Sequence, residues 1–210
     1  MFLFAGEAWP YLLIFGGATV VTWLLCWCVA PYVFLILTLF TAFFFRDPYR
    51  KVTLGAGHAV SPADGKVQAI EDIDHDEFIG GPAKKISIFL SIFNVHINRA
   101  PTAGKVVYKS YRAGKMLPAY KSHASDENER ATIGIEGSYG RVLVHQITGL
   151  IARRIVTNAN VGDNLKQGER FGLIKFGSCT ELIIPASAEV TVALGDKVKG
   201  GVSVIARFAK

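Results

Sequence analysis

Gly162-Asp163-Asn164-Leu165-Lys166-Gln167-Gly168 is echoed close to the C-terminus by Gly195-Asp196-Lys197-Val198-Lys199-Gly200-Gly201. Both read as turns that deliver the chain into a strand. Glycine supplies the torsions of a tight turn, and aspartate bonds the backbone beside it. A turn used twice argues for stacked β-hairpins. The flanking sequence agrees. Residues 67–70, 86–90, 106–108, 141–144, 181–184, 190–193 and 202–208 are short apolar runs broken by Gly, Pro, Asn or Asp, the pattern of strands. Helical periodicity is confined to 91–95 and 149–155. The expected fold is mainly β with short helices (α+β), a sandwich or barrel-like domain of stacked hairpins.

The first quarter of the chain is different. No charged residue occurs from Ala8 to Phe45. Residues 11–29 form a run of about 19 residues, ~28 Å as a helix, close to the thickness of a bilayer core. Ala30-Pro31 punctuates it, because proline disfavours helix at the residue before it. Residues 32–45 make a second, shorter run. The pattern predicts two antiparallel apolar helices that start and end on one face of a membrane. Arg46, Arg50 and Lys51 follow at once and place that face in the cytoplasm. The expected organisation is an apolar helical hairpin at 1–50, held at the cell membrane, and a catalytic domain at 51–210 on its cytoplasmic side. Glu7 and the lack of Lys or Arg before the run argue against a secretory signal.

A net charge of +6 favours an anionic partner. The apolar leader makes that partner a membrane lipid surface rather than nucleic acid. The three cysteines are Cys26 and Cys28 in the leader and Cys179 beyond it. They form neither a disulfide framework nor a zinc pattern. His58, His75, His123 and His145 lie at spacings that fit no metal motif, so no metal is expected.

Three fragments carry chemistry: Ser61-Pro62-Ala63-Asp64-Gly65, Val95-His96-Ile97-Asn98-Arg99-Ala100-Pro101 and Phe176-Gly177-Ser178. Together they offer an acid, an imidazole and a hydroxyl, the groups that activate a serine. Ser178 lacks the G-x-S-x-G setting of an esterase elbow. It follows a glycine, which leaves the preceding carbonyl unshielded. A hydroxyl held against the Gly177 carbonyl converts the amide to an ester, and the attack is intramolecular. Elimination and hydrolysis then leave a pyruvoyl group at position 178. Such a ketone forms a Schiff base with an amine substrate and draws electrons from it. His96 is the expected base, since an imidazole accepts a proton near neutrality. Asp64 is expected to orient the tautomer of His96. Asn128-Glu129-Arg130 reads as a polar loop that could line a substrate entrance. Arg153-Arg154 offers further forked donors for phosphate or carboxylate.

These fragments, together with Phe44-Phe45-Arg46-Asp47-Pro48 and Ala152-Arg153-Arg154-Ile155, resemble the phosphatidylserine decarboxylases of the short prokaryotic type. The likeness covers nearly the whole chain. It implies a proenzyme cut between Gly177 and Ser178 into a β chain, 1–177, and an α chain, 178–210. It implies a pyruvoyl cofactor made from Ser178, with phosphatidylserine as substrate and phosphatidylethanolamine and CO2 as products of phospholipid biosynthesis. Membrane association in that family is described as peripheral. Arg46, Arg130 and Arg153 are the candidates to hold the phosphodiester. The two fragments would stay together as a heterodimer, and a homo-oligomer is left open. Longer members carry a second histidine where this chain has Arg99, which leaves His96 to serve both reactions. The alternative reading is a membrane-anchored adaptor with a carrier-like β-sandwich and no catalysis.

Overall fold

The computed structural model describes residues 4–115, 127–149, 154–175 and 178–209. The chain divides into two compact units, Met1–Tyr49 and Arg50–Lys210.

The first unit is a helical hairpin of α1 (Trp9–Leu24) and α2 (Ala30–Phe44). Each helix carries a proline in its first turn, where the missing N–H costs nothing. Their threonines turn inward chemically. Thr19, Thr22 and Thr38 donate to the carbonyls of Phe15, Ala18 and Phe34 at 2.7–2.8 Å, which removes free hydroxyls from an apolar surface. The expected long first helix is corrected here. It ends at Leu24 because the chain turns at Cys26, held at a φ of 56°, a left-handed conformation that a residue with a Cβ adopts only at some cost. With 16 and 15 residues, α1 and α2 are about 24 and 22 Å long, short of a bilayer core of ~30 Å. Among the described residues no helix is long and apolar enough to cross a membrane. Leu13, Ile14, Trp23, Leu24, Ile36 and Leu39 are nonetheless exposed.

The second unit is mostly β. In chain order its strands are β1 (His58–Val60), β2 (Gly65–Asp76), β3 (Gly81–Leu90), β4 (Ile97–Arg99), β5 (Gly104–Arg112), β6 (Arg130–Gly137) and β7 (Gly140–Thr148). They continue with β8 (Arg154–Thr157), β9 (Asn164–Leu165), β10 (Arg170–Lys175), β11 (Ser178–Pro185), β12 (Glu189–Val190), β13 (Lys197–Val198) and β14 (Val204–Arg207). Eight of them form a curled antiparallel half-barrel in the order β13-β2-β3-β11-β7-β6-β5-β9. Two small sheets, β1-β14-β12 and β4-β10-β8, complete the unit. The core is built from alternate residues of the strands, among them Ile86, Ile88, Ile133, Ile135, Val144, Leu182 and Ile184. The mainly β, hairpin-stacked architecture is the one expected. Residues 91–95 differ from expectation. They form a turn, closed by Asn94 N on Ser91 O and by Ser91 N on the Asn94 side chain, both at 2.9 Å.

The repeated turn is a structural repeat. Each copy contains a two-residue strand, β9 in one and β13 in the other. Gly162 and Gly195 have φ of 103° and 92°, and Gly168 and Gly201 have 75° and 74°. These are torsions open to glycine and strained for other residues. The backbone bonds match as well. Val106 N reaches Asp163 O and Val67 N reaches Asp196 O, at 2.8 and 2.9 Å. Gly168 N reaches Ala100 O and Gly201 N reaches Ser61 O, also at 2.8 and 2.9 Å. The strand order of the large sheet is therefore symmetric about the seam between β11 and β7. Each repeated turn docks on an equivalent segment, Ser61-Pro62-Ala63-Asp64-Gly65-Lys66-Val67 or Ala100-Pro101-Thr102-Ala103-Gly104-Lys105-Val106.

Candidate active site

Ser178 opens β11, at the seam of the two halves. It pairs with Leu90 of β3 on one side and Thr148 of β7 on the other. Successive strand residues face opposite sides. Ser178, Thr180, Leu182 and Ile184 therefore point into the core, and Cys179, Glu181 and Ile183 point the other way. Ser178 is fully buried, and its Oγ has no hydrogen-bond partner among the described residues. A buried hydroxyl left unpaired costs about 1–3 kcal/mol. Native folds rarely carry such a cost without a use for the group. Phe176 and Gly177 lie outside the described residues.

His96 is brought to the same place by two ladders. Leu90 is paired with Ser178, and Ile97 is paired with Leu173 of β10. Between these points the chain makes the tight turn at Ser91–Asn94. The His96 carbonyl then accepts a bond from Ile174 N at 3.2 Å. His96 thus lies against the end of β10 that leads into Ser178. It is only 2% exposed. Its Nδ1 is 3.0 Å from the Asn94 carbonyl oxygen. A carbonyl only accepts, so the neutral ring carries its proton on Nδ1 and its lone pair on Nε2, the form a general base needs.

Asn94 therefore supplies the tautomer control that the sequence suggested for Asp64. The Asp64 carboxylate spans Arg50 Nη2 at 2.7 Å and Gly200 N at 2.8 Å. It ties the segment before β2 to the second repeated turn. The equivalent place in the other half is Ala103, so the fold itself does not need a carboxylate there. The acid is specific to the half that contains it.

The other candidates separate. Asn128 and Glu129, read as a polar loop that could line a substrate entrance, are buried. Asn128 Nδ2 donates to Thr148 O at 2.7 Å, and Thr148 N donates to Glu129 O at 3.1 Å. They brace the strand next to Ser178. The Glu129 carboxylate takes the Tyr111 hydroxyl at 3.0 Å, which raises the phenol above its ordinary range. Arg130 stands on the face of the sheet opposite to Ser178. There it lines a hollow of about 630 Å³ with Lys85, His145 and Glu181. Burial, and then the charges of Arg130, Lys85 and Arg112, hold the His145 imidazole down to about 3. Arg46 belongs to the first unit. Its guanidinium caps the end of α2, with Nη1 2.7 Å from Phe43 O and Cζ 3.9 Å above the Phe43 ring. Arg153 lies outside the described residues. Cys179 is buried, and burial together with the Glu181 charge pushes its thiol well above the ordinary range. Its side chain faces away from the core that Ser178 faces.

One group of residues was missed in the sequence. Asn98 Nδ2 donates to Thr180 Oγ1 at 2.9 Å, and Asn98 Oδ1 accepts from Gln146 Nε2 at 2.9 Å. Gln146 Oε1 accepts from Thr157 Oγ1 at 2.6 Å. Asn98, Gln146 and Thr180 are all fully buried. The chain of bonds joins β4 and β8 of a small sheet to β11 and β7 of the large one. Asn98 sits two residues from His96, and Thr180 two from Ser178, so the signal was an alternation within motifs already singled out.

A sequence profile described as phosphatidylserine decarboxylase matches residues 37–206. The chain is 50% identical over 203 residues to the phosphatidylserine decarboxylase proenzyme of Carboxydothermus hydrogenoformans, covering 96% of this chain and 95% of that one. The corresponding protein of Symbiobacterium thermophilum is 46% identical over 207 residues, covering 98% and 96%. That of Syntrophus aciditrophicus is 42% identical over 212 residues, covering 97% of each. A profile match over most of the chain and relatives of matching length agree: this chain belongs to the phosphatidylserine decarboxylase family.

Proposed function

We propose that the chain is a proenzyme that cuts itself between Gly177 and Ser178 and then decarboxylates phosphatidylserine to phosphatidylethanolamine. The observation that carries this reading is the buried, unpartnered Ser178 Oγ next to the turn that fixes His96. The relatives' names as proenzymes support it and weaken the adaptor alternative.

In the first reaction His96 Nε2 takes the Ser178 hydroxyl proton as Oγ bonds to the Gly177 carbonyl carbon. The C–N bond breaks, and the freed amine of Ser178 takes up the proton. Loss of the Ser178 α-proton expels the Gly177 carboxylate, and addition of water with loss of ammonia leaves a ketone. Position 178 suits that group, since it is buried and its side-chain oxygen has no competing partner among the described residues. The pyruvoyl group supplies an electrophile for the substrate amine and a sink for the electron pair left when CO2 departs. In the second reaction His96 is positioned to return a proton to the carbon that lost CO2. Asp64 acts as a positioning residue through Arg50 and Gly200. Arg46, Arg130 and Arg153 remain the candidates for the phosphodiester. Arg130 is the weakest of the three, because its side chain stands on the far face of the sheet. The test is direct. Purified protein should show two fragments by intact mass and release CO2 from phosphatidylserine in detergent. A single whole chain that releases none would overturn the reading.

We further propose that the α1–α2 hairpin rests in one leaflet at the cytoplasmic side of the cell membrane. Its exposed leucines, isoleucines and tryptophan provide the apolar contact, and Arg46 and the basic net charge favour anionic lipid. Salt screens only the electrostatic part of binding. The protein is therefore expected to stay with membranes in high salt and to leave in detergent. Release by salt alone would mean that the hairpin does not insert.

A further inference from the structure

The bond between Asn98 and Thr180 joins the strand of the proposed base to the strand of the proposed nucleophile. We infer that it is the register pin of the active site: Asn98, held by Gln146, sets His96 over Ser178 through Thr180. The inference rests on the reading of Ser178 as nucleophile and His96 as base.

On a strand, residues two apart share a face and lie about 6.6 Å apart. Ser178 and Thr180 are such a pair at the start of β11, and His96, the residue before β4, stands two positions from Asn98 within it. The His96 end of β4 lies against Ile174, at the end of β10 that leads into Ser178. A bond fixed at 98–180 therefore leaves 96 and 178 at the same end of the two strands, on facing sides. β4 and β11 share no ladder, since they belong to different sheets. The backbone bonds that hold His96 run to β10, and those that hold Ser178 run to β3 and β7. The side-chain bond at 2.9 Å is a direct link between the two strands.

Polarity makes the pin specific. The amide of Asn98 donates to the threonine hydroxyl and accepts from Gln146. Gln146 is held in turn by the Thr157 hydroxyl. Each bond fixes the rotation of the next amide, so Asn98 presents its NH2 to Thr180. Gln146 also sits directly across the strand pair from Thr180. The three residues thus close on one another in the core. None of them is one of the proposed reacting groups, so they act by position.

The test replaces Thr180, whose β-branched shape valine reproduces. Thr180→Val keeps the shape and loses the hydroxyl, and Thr180→Ser keeps the hydroxyl. Proenzyme is made in a timed synthesis, and the appearance of fragments 1–177 and 178–210 is followed. Thr180→Val is expected to mature about 10–100-fold more slowly, the loss typical of a small misplacement of reacting groups. Thr180→Ser is expected to stay within about 3-fold of the parent. In the matured fraction Thr180→Val should lower kcat and leave KM unchanged. The melting temperature is read separately in the Ser178→Ala background, where every chain stays whole. Maturation of Thr180→Val at the parent rate overturns the inference. A fall in melting temperature large enough to leave the chain unfolded during the assay also overturns it, because the loss is then one of folding. If Ser178→Ala itself is still cut, the underlying reading fails first, and that outcome is recognised without the Thr180 variants.

Discussion

Ser178→Ala is expected to remain a single chain of about 22.9 kDa, with no trace of a fragment beginning at residue 178. The effect is complete because cleavage is ascribed to one oxygen, and alanine has none. Water is a poor substitute, since the site is buried and an intramolecular nucleophile enjoys an effective concentration that bulk water cannot match. The neighbouring Cys179 cannot take over, for it points to the other face and its thiol is held protonated. Folding should survive. Removing a buried hydroxyl that makes no bond among the described residues relieves a cost rather than adding one. The variant is therefore expected to melt at or above the temperature of an uncut parent, and to release no CO2. Mass spectrometry and a melting curve on one sample check both halves. A cut Ser178→Ala chain would show that another group attacks.

The second large effect is expected at His96. His96→Ala removes the proposed base, and loss of a positioned general base costs ~10²–10⁴ in rate. Uncut proenzyme should accumulate. Two features separate this from simple misfolding. The turn at Ser91–Asn94 is held by its own bonds and should survive. His96→Asn in parallel can keep a donor toward the Asn94 carbonyl, yet it supplies no basic nitrogen. Both variants should mature slowly if the imidazole is the base. Normal maturation with loss of decarboxylation would assign His96 to the second reaction alone. Normal behaviour in both reactions would remove it from the site.

Much of this was legible in the chain. The strands announced themselves because short apolar runs between turn residues have few other uses. The repeated Gly-Asp turns announced the stacking, and their glycines do adopt the torsions that the reading required. A second repeat went unread. Ser61-Pro62-Ala63-Asp64-Gly65-Lys66-Val67 and Ala100-Pro101-Thr102-Ala103-Gly104-Lys105-Val106 are two versions of one segment. Set side by side, they differ at Ser61/Ala100, Ala63/Thr102 and Asp64/Ala103, and of these only Asp64 puts a charge in one half. The first helix was read too long, because hydropathy continues through Cys26 while the backbone turns there. The burial of Asn128 is not visible in the sequence, because polar residues are mostly exposed. Its burial follows from a partner, the Thr148 carbonyl, that lies on another strand.

The sequence by itself determined the element types, the two-part organisation and the chemical groups on offer. Those properties depend on neighbours in the chain: periodicity, turn residues and side-chain chemistry. Only the tertiary structure decided which groups meet. The distance between fragments along a chain says nothing about strand order, and strand parity decides which face each residue takes. Parity put Ser178 inward and Cys179 outward, and it sent Arg130 to the far side of the sheet. Tertiary packing sent Asp64 to Arg50 and Gly200 rather than to the ring of His96. Packing two sheets together made the bond from Asn98 to Thr180. Those outcomes arise from long-range pairing, which a local pattern cannot encode.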